Sequence, residues 1–451
     1  MDILTLLSCL LPALDPTSVR QFARLASALL CCTGRVTMRG IARWGGPGAS
    51  YRTVQRFFST KLPWPQIHWH FFQAQHLRPD EEYILAGDEV VVTKAGKHTH
   101  GLDRFYSGLL QKVVPGLAFF NLALVATTER RAYPLCCQQV LRSEAEKAAG
   151  RAKRAAKRAN QTTAAAERRP VGRPKGRRNK PKSGEYSPEL LRIQAMLKAL
   201  VARFAGVLKV RYVALDGHFG NAAALAMVRE CDLHIVSKLR HDAALYLAYD
   251  GPYAGRGPHR KYGAKLDYRA LPACMLRQRV VEEGIESSIY SGPVLHKEFA
   301  QPLNVVISVK TKLESGTRAH VVLFSSDPEL DWERLVDYYS LRFQIEFTFR
   351  EAKQDWGLED FMNIKAQPVE NAANLAMFMV SLSGALLRQE QQPQAARSVQ
   401  DLKAAYRGRK YVEQTIKMLA EKPADDLMER IVQRVTGLGR IHPRKSLPDA
   451  A

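Results

Sequence analysis

Residues Tyr338 to Lys353 read YYSLRFQIEFTFREAK. The acid Glu346 stands there in a row with Arg342, Arg350, Lys353 and the ring of Tyr339, while Leu, Ile, Phe and Ala fill the gaps. At about 100° per residue, Tyr339, Arg342, Glu346, Arg350 and Lys353 share one narrow sector of a helix. Leu341, Ile345, Phe349 and Ala352 fall on the opposite side. The pattern predicts a helix with an apolar back seated on a sheet and a front that sets an acid among bases. A simple intrahelical pair of Glu346 with Arg342 or Arg350 would also suit the spacing. Three bases and a tyrosine aligned with the acid ask for more than a solvated face.

The whole chain leans the same way. Its 451 residues carry a net charge of +23, which points to a polyanionic partner, nucleic acid before an acidic membrane surface. That length asks for several domains, and the ordinary apolar content is enough for a sizeable core. No apolar run reaches the length of a membrane span; GLAFFNLALVA stops early and contains Asn121. The opening MDILTLLSCLLPALDP bears Asp2 and lacks a basic leader, so it reads as a packed helix rather than a signal peptide. The seven cysteines include two adjacent pairs, Cys31–Cys32 and Cys136–Cys137. Neighbouring cysteines suit neither a disulfide framework nor zinc, so reduced thiols in a cytoplasmic protein are expected.

Residues 1–80 read as a helical, DNA-binding domain. Asp15-Pro16 is an expected helix start. TMRGIARWGGPGASYRTVQRFF outlines a helix–turn–helix, with Tyr51, Arg52, Gln55 and Arg56 as groove-facing residues. Residues 81–237 form the first part of an α/β core. Three β-rich segments, YILAGDEVVVTKA, RFYSGLLQKVV and GLAFFNLALVATTE, precede a helical region, and the strand VRYVALD, a helix and the strand LHIVSKL follow. A basic insert, 142–183, interrupts this part. Its GRPKGRR core, with Arg173, Lys175, Arg177 and Arg178, suits the minor groove of A·T-rich DNA. Residues 238–330 read as a β-rich insertion, 331–390 as the final helical part of the core, and 391–451 as a helical tail for oligomerisation or DNA tracking.

Asp88 on the first strand, Asp216 at the end of YVALD and Glu346 are the acids that stand out by position. Taken singly, each has a bland account: Asp216 before Gly217 can merely end a strand in a turn. Taken together in a basic protein, they suit a divalent cation. Hard oxygen ligands favour Mg²⁺, with Mn²⁺ as a substitute. Two such ions, about 4 Å apart, serve in-line displacement at phosphorus. Asp103 in GLDRFYSG competes for the first position, and Asp88 is preferred because it lies mid-strand in an apolar run. His98 and His100 in KHTHG lack partners for a zinc site and read as a turn.

The spacing Tyr339-x2-Arg342-x3-Glu346-x6-Lys353 resembles the Y-R-E-K motif of cut-and-paste bacterial insertion-sequence transposases of the DDE class. The resemblance covers about 82–370, and more loosely the helical N-terminus. It implies a ribonuclease-H-like, mixed-sheet catalytic core with a β-rich insertion between the second acid and the helix Glu. It implies Asp88, Asp216 and Glu346 as the catalytic, metal-binding triad, with Tyr339, Arg342 and Lys353 on the transposon end near the cut. It also implies terminal-repeat DNA and target DNA as partners, a homodimer when the ends are paired, and a hairpinned-end intermediate. Arg350 joins the DNA face on geometry alone. The rival expectation is a transposase-derived DNA-binding regulator without chemistry.

Overall fold

The structure is a computed structural model that describes residues 3–108, 110–164, 185–253, 255, 258–389, 398–421 and 423–441. Its centre is a twelve-stranded mixed sheet. The strands are β1 (Tyr83–Thr93), β2 (Asp103–Ser107), β3 (Lys112–Ala126), β4 (Arg131–Gln139), β5 (Tyr212–Leu215), β6 (His234–Leu239), β7 (Leu245–Ala248), β8 (Tyr262–Lys265), β9 (Leu276–Glu282), β10 (Ile285–His296), β11 (Leu303–Lys312) and β12 (Arg318–Ser325). Their order is β2-β3-β1-β5-β6-β12-β11-β10-β7-β8, with β4 on β3 and β9 on β10. The pairs β1–β5 and β5–β6 are parallel and the others antiparallel. This is a mixed α/β architecture consistent with a ribonuclease-H-like DDE fold.

The segment 238–330 does not build a sheet of its own. Its last strand, β12, pairs with β6, so β10, β11 and β12 extend the central sheet directly. The sequence reading also passed over β4. Pro134 sits inside it, and proline ordinarily speaks against a strand. β4 lies at an edge, and its register with β3 shifts between Leu122 and Ala123, beside Pro134, where a missing N–H is tolerated.

Thirteen helices accompany the sheet among the described residues: α1 (Ile3–Leu7), α2 (Pro16–Cys31), α3 (Met38–Gly45), α4 (Tyr51–Ser59), α5 (Trp64–Gln75), α6 (Glu144–Ala164), α7 (Pro188–Phe204), α8 (Ala222–Arg229), α9 (Trp332–Leu341), α10 (Gln344–Gln354), α11 (Ala366–Gln389), α12 (Val399–Ile416) and α13 (Asp425–Gly437). Local caps set three of the early starts. Asp15 accepts from the Thr17 and Ser18 N–H groups ahead of Pro16, Thr37 accepts from Gly40, and Ser50 accepts from Thr53. The helix–turn–helix outline over α3 and α4 is present, with Tyr51, Arg52, Gln55 and Arg56 exposed. No helix among the described residues is long and apolar enough to cross a membrane. All seven cysteines are free, and burial pushes the Cys31 and Cys32 thiols up to about 11.

Alternation along the strands divides the core between two faces. Leu85, Leu122, Val213 and Leu215 meet α7 and α8 on one side. Ile84, Ala86, Val90 and Ala123 meet α9, α10, α11 and the N-terminal helices on the other. Both acidic strand residues, Asp88 and Asp216, belong by alternation to this second face. The N-terminal helices share its core: the Phe378 ring of α11 lies 4.7 Å from Phe22 and 4.8 Å from Phe71. Buried Asn371 of α11 is the polar rivet. Its carboxamide accepts from Trp64 Nε1 at 2.7 Å and donates to the carbonyls of Phe58 (2.8 Å) and Thr60 (2.7 Å). Asn371→Ala strands those groups away from water, so the urea unfolding midpoint should drop by the equivalent of about 2–3 kcal/mol. An unchanged midpoint would mean that α4 and α5 do not depend on this contact.

Candidate active site

Strand register brings the first two acids together. β1 and β5 run parallel with Leu85 opposite Val213, Ala86 opposite Ala214 and Gly87 opposite Leu215. Asp88 and Asp216 occupy the next rung, on neighbouring strands that lie about 4.8 Å apart. The packing beneath fixes this rung tightly. A Cβ on Gly87 would approach Leu215 Cδ2 to 2.8 Å and Leu122 Cδ2 to 3.0 Å, so a larger residue before Asp88 would require those side chains to shift. Beyond Asp216 the chain turns against β6: the Asp216 carboxylate accepts from His218 N–H at 3.0 Å, and Ser237 Oγ donates to the Asp216 carbonyl at 2.7 Å. Gly220 is needed in that turn because a Cβ there would come within 2.2 Å of the Lys238 carbonyl.

The third acid arrives from α10. The quoted stretch is not one straight helix, as the uniform 100° step assumes. It divides into α9 and α10 at Arg342 and Phe343, where Phe343 N–H donates to the Ser340 carbonyl and Glu346 N–H to the Phe343 carbonyl. These three-residue steps tighten the turn and swing α10 relative to α9. The apolar back survives the break: Leu341, Ile345, Phe349 and Ala352 are all buried. The other acid of α10, Glu351, faces away from the site and accepts from Trp356 Nε1 and Ser383 Oγ.

Arg342 ties the centre together. Its guanidinium donates to Asp88 Oδ2 at 2.8 Å and to Glu346 Oε1 at 2.9 Å, and the side chain is only 14% exposed. The intrahelical Arg342–Glu346 pair therefore exists, and it is half of a bridge between α10 and β1. Burial raises the Asp88 carboxyl above its usual range, Arg342 works against that rise, and the nearby charges of Asp216 and Glu346 add to it. Burial likewise raises the Tyr339 phenol, with Arg342 lowering it and Asp216 and Asp88 raising it. Asp88, Asp216, Glu346, Tyr339 and Arg342 thus act on one another across a small space. Three carboxylates against one guanidinium leave an anionic spot in a strongly basic chain.

The donor set suits a hard divalent cation: carboxylate oxygens, unbalanced charge and partial burial. Among the described residues no three acidic, His or Cys side chains stand close enough to share one ion. Arg342 lies between two of the three, Asp88 and Glu346, in the space that an ion bridging them would need. Asp103, the competing first acid, sits at the start of β2 and holds Arg142 at 3.3 Å.

The remaining sequence-derived residues are spread out. Arg350 is exposed on α10 with its guanidinium 5.1 Å from the Phe347 ring centre. Lys353 turns inward, donating to the Val91 carbonyl at 3.0 Å and pairing with Glu359 at 2.9 Å. Arg52 and Arg56 are exposed on α4, away from the acids in sequence and in element. Arg173, Lys175, Arg177 and Arg178 lie outside the described residues. Sequence reasoning passed over Asn121. It stands opposite Asp88 on β3, is wholly buried, and neither atom of its carboxamide has a hydrogen-bond partner among the described residues. Its signal was a single amide inside a long apolar run.

The DDE superfamily endonuclease family matches residues 9–283, well over half of the chain, and the protein belongs to that family. Its class is therefore that of a transposase-like nuclease. The matched segment contains Asp88 and Asp216 and ends before α9 and α10, so Glu346 is placed by geometry alone. No curated protein matches the chain.

A carboxyl whose folded pKa lies above its unfolded value weakens folding as it ionises. Asp88→Asn removes that contribution and nothing else that titrates. From about pH 4 upward, the thermal midpoint of the variant should gain on the parent until Asp88 is fully ionised, and the gap should then level off. A gap that is constant across this window would mean that Asp88 ionises as in the unfolded chain.

Proposed function

We propose that the protein is a cut-and-paste DNA transposase of the DDE class that acts on the ends of an insertion sequence. The observation that carries this reading is the bridge from Asp88 through Arg342 to Glu346, with Asp216 on the adjoining rung. Few structural needs are met by setting Asp88 and Glu346 on one guanidinium with Asp216 on the adjoining rung; burying like charge costs free energy unless it is compensated. An acid cluster beside bases is what phosphoryl transfer on DNA requires.

In this reading Asp88, Asp216 and Glu346 hold two Mg²⁺ ions, or Mn²⁺ in their place. When bound, such ions supply Lewis acidity at the scissile phosphate. The chain's own groups supply the rest. Arg342 leaves its carboxylates for a DNA phosphate, a planar fork for which bidentate contact is favourable. Tyr339 beside it stays a neutral hydroxyl and can donate to a phosphate oxygen. Arg350, exposed next to Phe347, extends the ledge along the strand, and Lys353 joins it on leaving Glu359. Arg52 and Arg56 on α4 hold the terminal repeat, and the GRPKGRR insert adds phosphate affinity. Cleavage by water and joining by a 3′-hydroxyl, through hairpinned ends, within a homodimer that pairs both ends in the cytoplasm, complete the proposal.

Asp216→Ala and Glu346→Ala should each lower strand cleavage by more than about 100-fold, beyond the cost of losing an outer-shell partner, while leaving affinity for end DNA within a few-fold of the parent. Gel assays of nicking and strand transfer, run beside a binding titration, check this. Cleavage at the parental rate by both variants in Mg²⁺ would remove these acids from the chemistry. Binding without cleavage or joining by the parent itself would favour the regulator instead.

A further inference from the structure

A cavity of about 720 Å³ opens between α2, the end of α3 and α12. It is lined by Arg20 and Arg24 from α2 and by Arg409 and Lys410 from α12, with Trp44 and Tyr406 among its walls. The single acid there, Glu413, is held by Arg409 at 3.3 Å. Neither Arg24 nor Lys410 pairs with an acid among the described residues. The turn of the helix–turn–helix supplies a second, independent observation. A Cβ on Gly48 would stand 2.9 Å from Arg24 Nη1, and one on Gly46 would stand 3.4 Å from Lys410 Nζ. Both glycines have positive φ, +84° and +68°, so the turn's bare backbone lies directly over the two uncompensated cations. Helix α12 is firmly anchored beneath that turn. Buried Lys403 donates to the Asp355 carbonyl at 2.9 Å, and buried Asp401 accepts from Ile441 N–H at 2.7 Å.

We infer that this cleft holds the phosphate backbone of the DNA engaged by α3 and α4, which makes the tail helix α12 part of the DNA-binding unit. The inference rests on the DNA-binding reading above. Arg20, Arg24 and Arg409 are exposed rather than gathered around one buried point, a layout suited to successive phosphates of a strand. The test is a salt series of fluorescence anisotropy with a random-sequence DNA duplex. Arg24→Gln and Lys410→Gln should each weaken binding and reduce the slope of log affinity against log salt by about 0.9. Arg430→Gln, on exposed α13, should change neither. Unaltered slopes in both cleft variants overturn the inference. If Arg52→Gln and Arg56→Gln then do reduce the slope, the DNA-binding reading stands and the cleft alone falls. A parent with no salt-dependent binding removes both.

Asn121 carries a second inference independently. A wholly buried carboxamide with no partner is costly, and an apolar residue of similar size would avoid that cost. Its neighbour across the strand pair is Asp88, with Cβ atoms about 5 Å apart. In this structure the Asp88 oxygens are already engaged, Oδ1 by Glu89 N–H at 2.8 Å and Oδ2 by Arg342. The geometry points to Asn121 as a positioning residue: its Nδ2–H donates to the Asp88 carboxylate once Arg342 has left, and so orients the free oxygen. This rests on Asp88 serving as a metal ligand. Thermal unfolding without metal and Mn²⁺ titration without DNA test it in Asn121→Leu. The variant should unfold at or above the parental midpoint and bind Mn²⁺ about 10–100-fold more weakly. Parental Mn²⁺ affinity, with or without a lower midpoint, overturns the assignment. Should the leucine variant fail to fold, the Mn²⁺ affinity of Asn121→Ala decides by the same criterion. Mn²⁺ affinity unaffected by Asp216→Ala would instead strike at the triad itself.

Discussion

Like charge is brought together in this protein by strand register and kept together by one guanidinium. The parallel pairing of β1 with β5 leaves no freedom: once Gly87 faces Leu215, Asp88 and Asp216 share a rung. Beyond the tight step at Arg342–Phe343, Glu346 meets the guanidinium that also holds Asp88. Without Arg342 the cluster would be self-repelling, and burial would push Asp88 still further toward its neutral form. The same bridge ties α10 to the strand beneath it. Under the proposed function, a cation at the carboxylates would take over the compensation and free the guanidinium for phosphate, so that the anionic centre and the basic surround serve one substrate.

The N-terminal helices are joined to this centre through the core rather than by a flexible tether. Aromatic side chains of α2 and α5 close on Phe378 of α11, and Asn371 stitches α4 and α5 to the same helix. Because α11 also covers the face that carries the acids, the helix–turn–helix is set at a fixed distance from them. At the Gly46–Gly48 turn, α2 and α12 each place one cation against the backbone, Arg24 and Lys410. One continuous apolar core therefore fixes the positions of the groups that the proposed function assigns to DNA.

Much of this could be read from the sequence because it rests on local rules. The helix start at Asp15-Pro16, the β-rich run of β1 and the apolar back of α10 follow from residue type and period. The acids could be singled out because they interrupt apolar strands or stand among bases. What stayed hidden depends on partners distant in sequence. The break at Arg342–Phe343 has no proline or glycine to announce it. Pro134 made β4 look unlike a strand until its edge position and register shift were seen. The β-rich segment 238–330 could not be told from a separate domain before β12 was found beside β6. Lys353 reads as a phosphate ligand on a helical wheel, whereas the Val91 carbonyl and Glu359 that hold it inward come from other elements. The isolation of Asn121 is likewise a property of its surroundings.

Under the proposed function, Arg342 and a divalent cation are alternative occupants of one acidic centre. Anomalous diffraction from a Mn²⁺-soaked complex with end DNA tests it most directly. Manganese should lie among the oxygens of Asp88, Asp216 and Glu346, with the Arg342 guanidinium moved onto a phosphate. Manganese bound elsewhere while Arg342 still grips both carboxylates would contradict it.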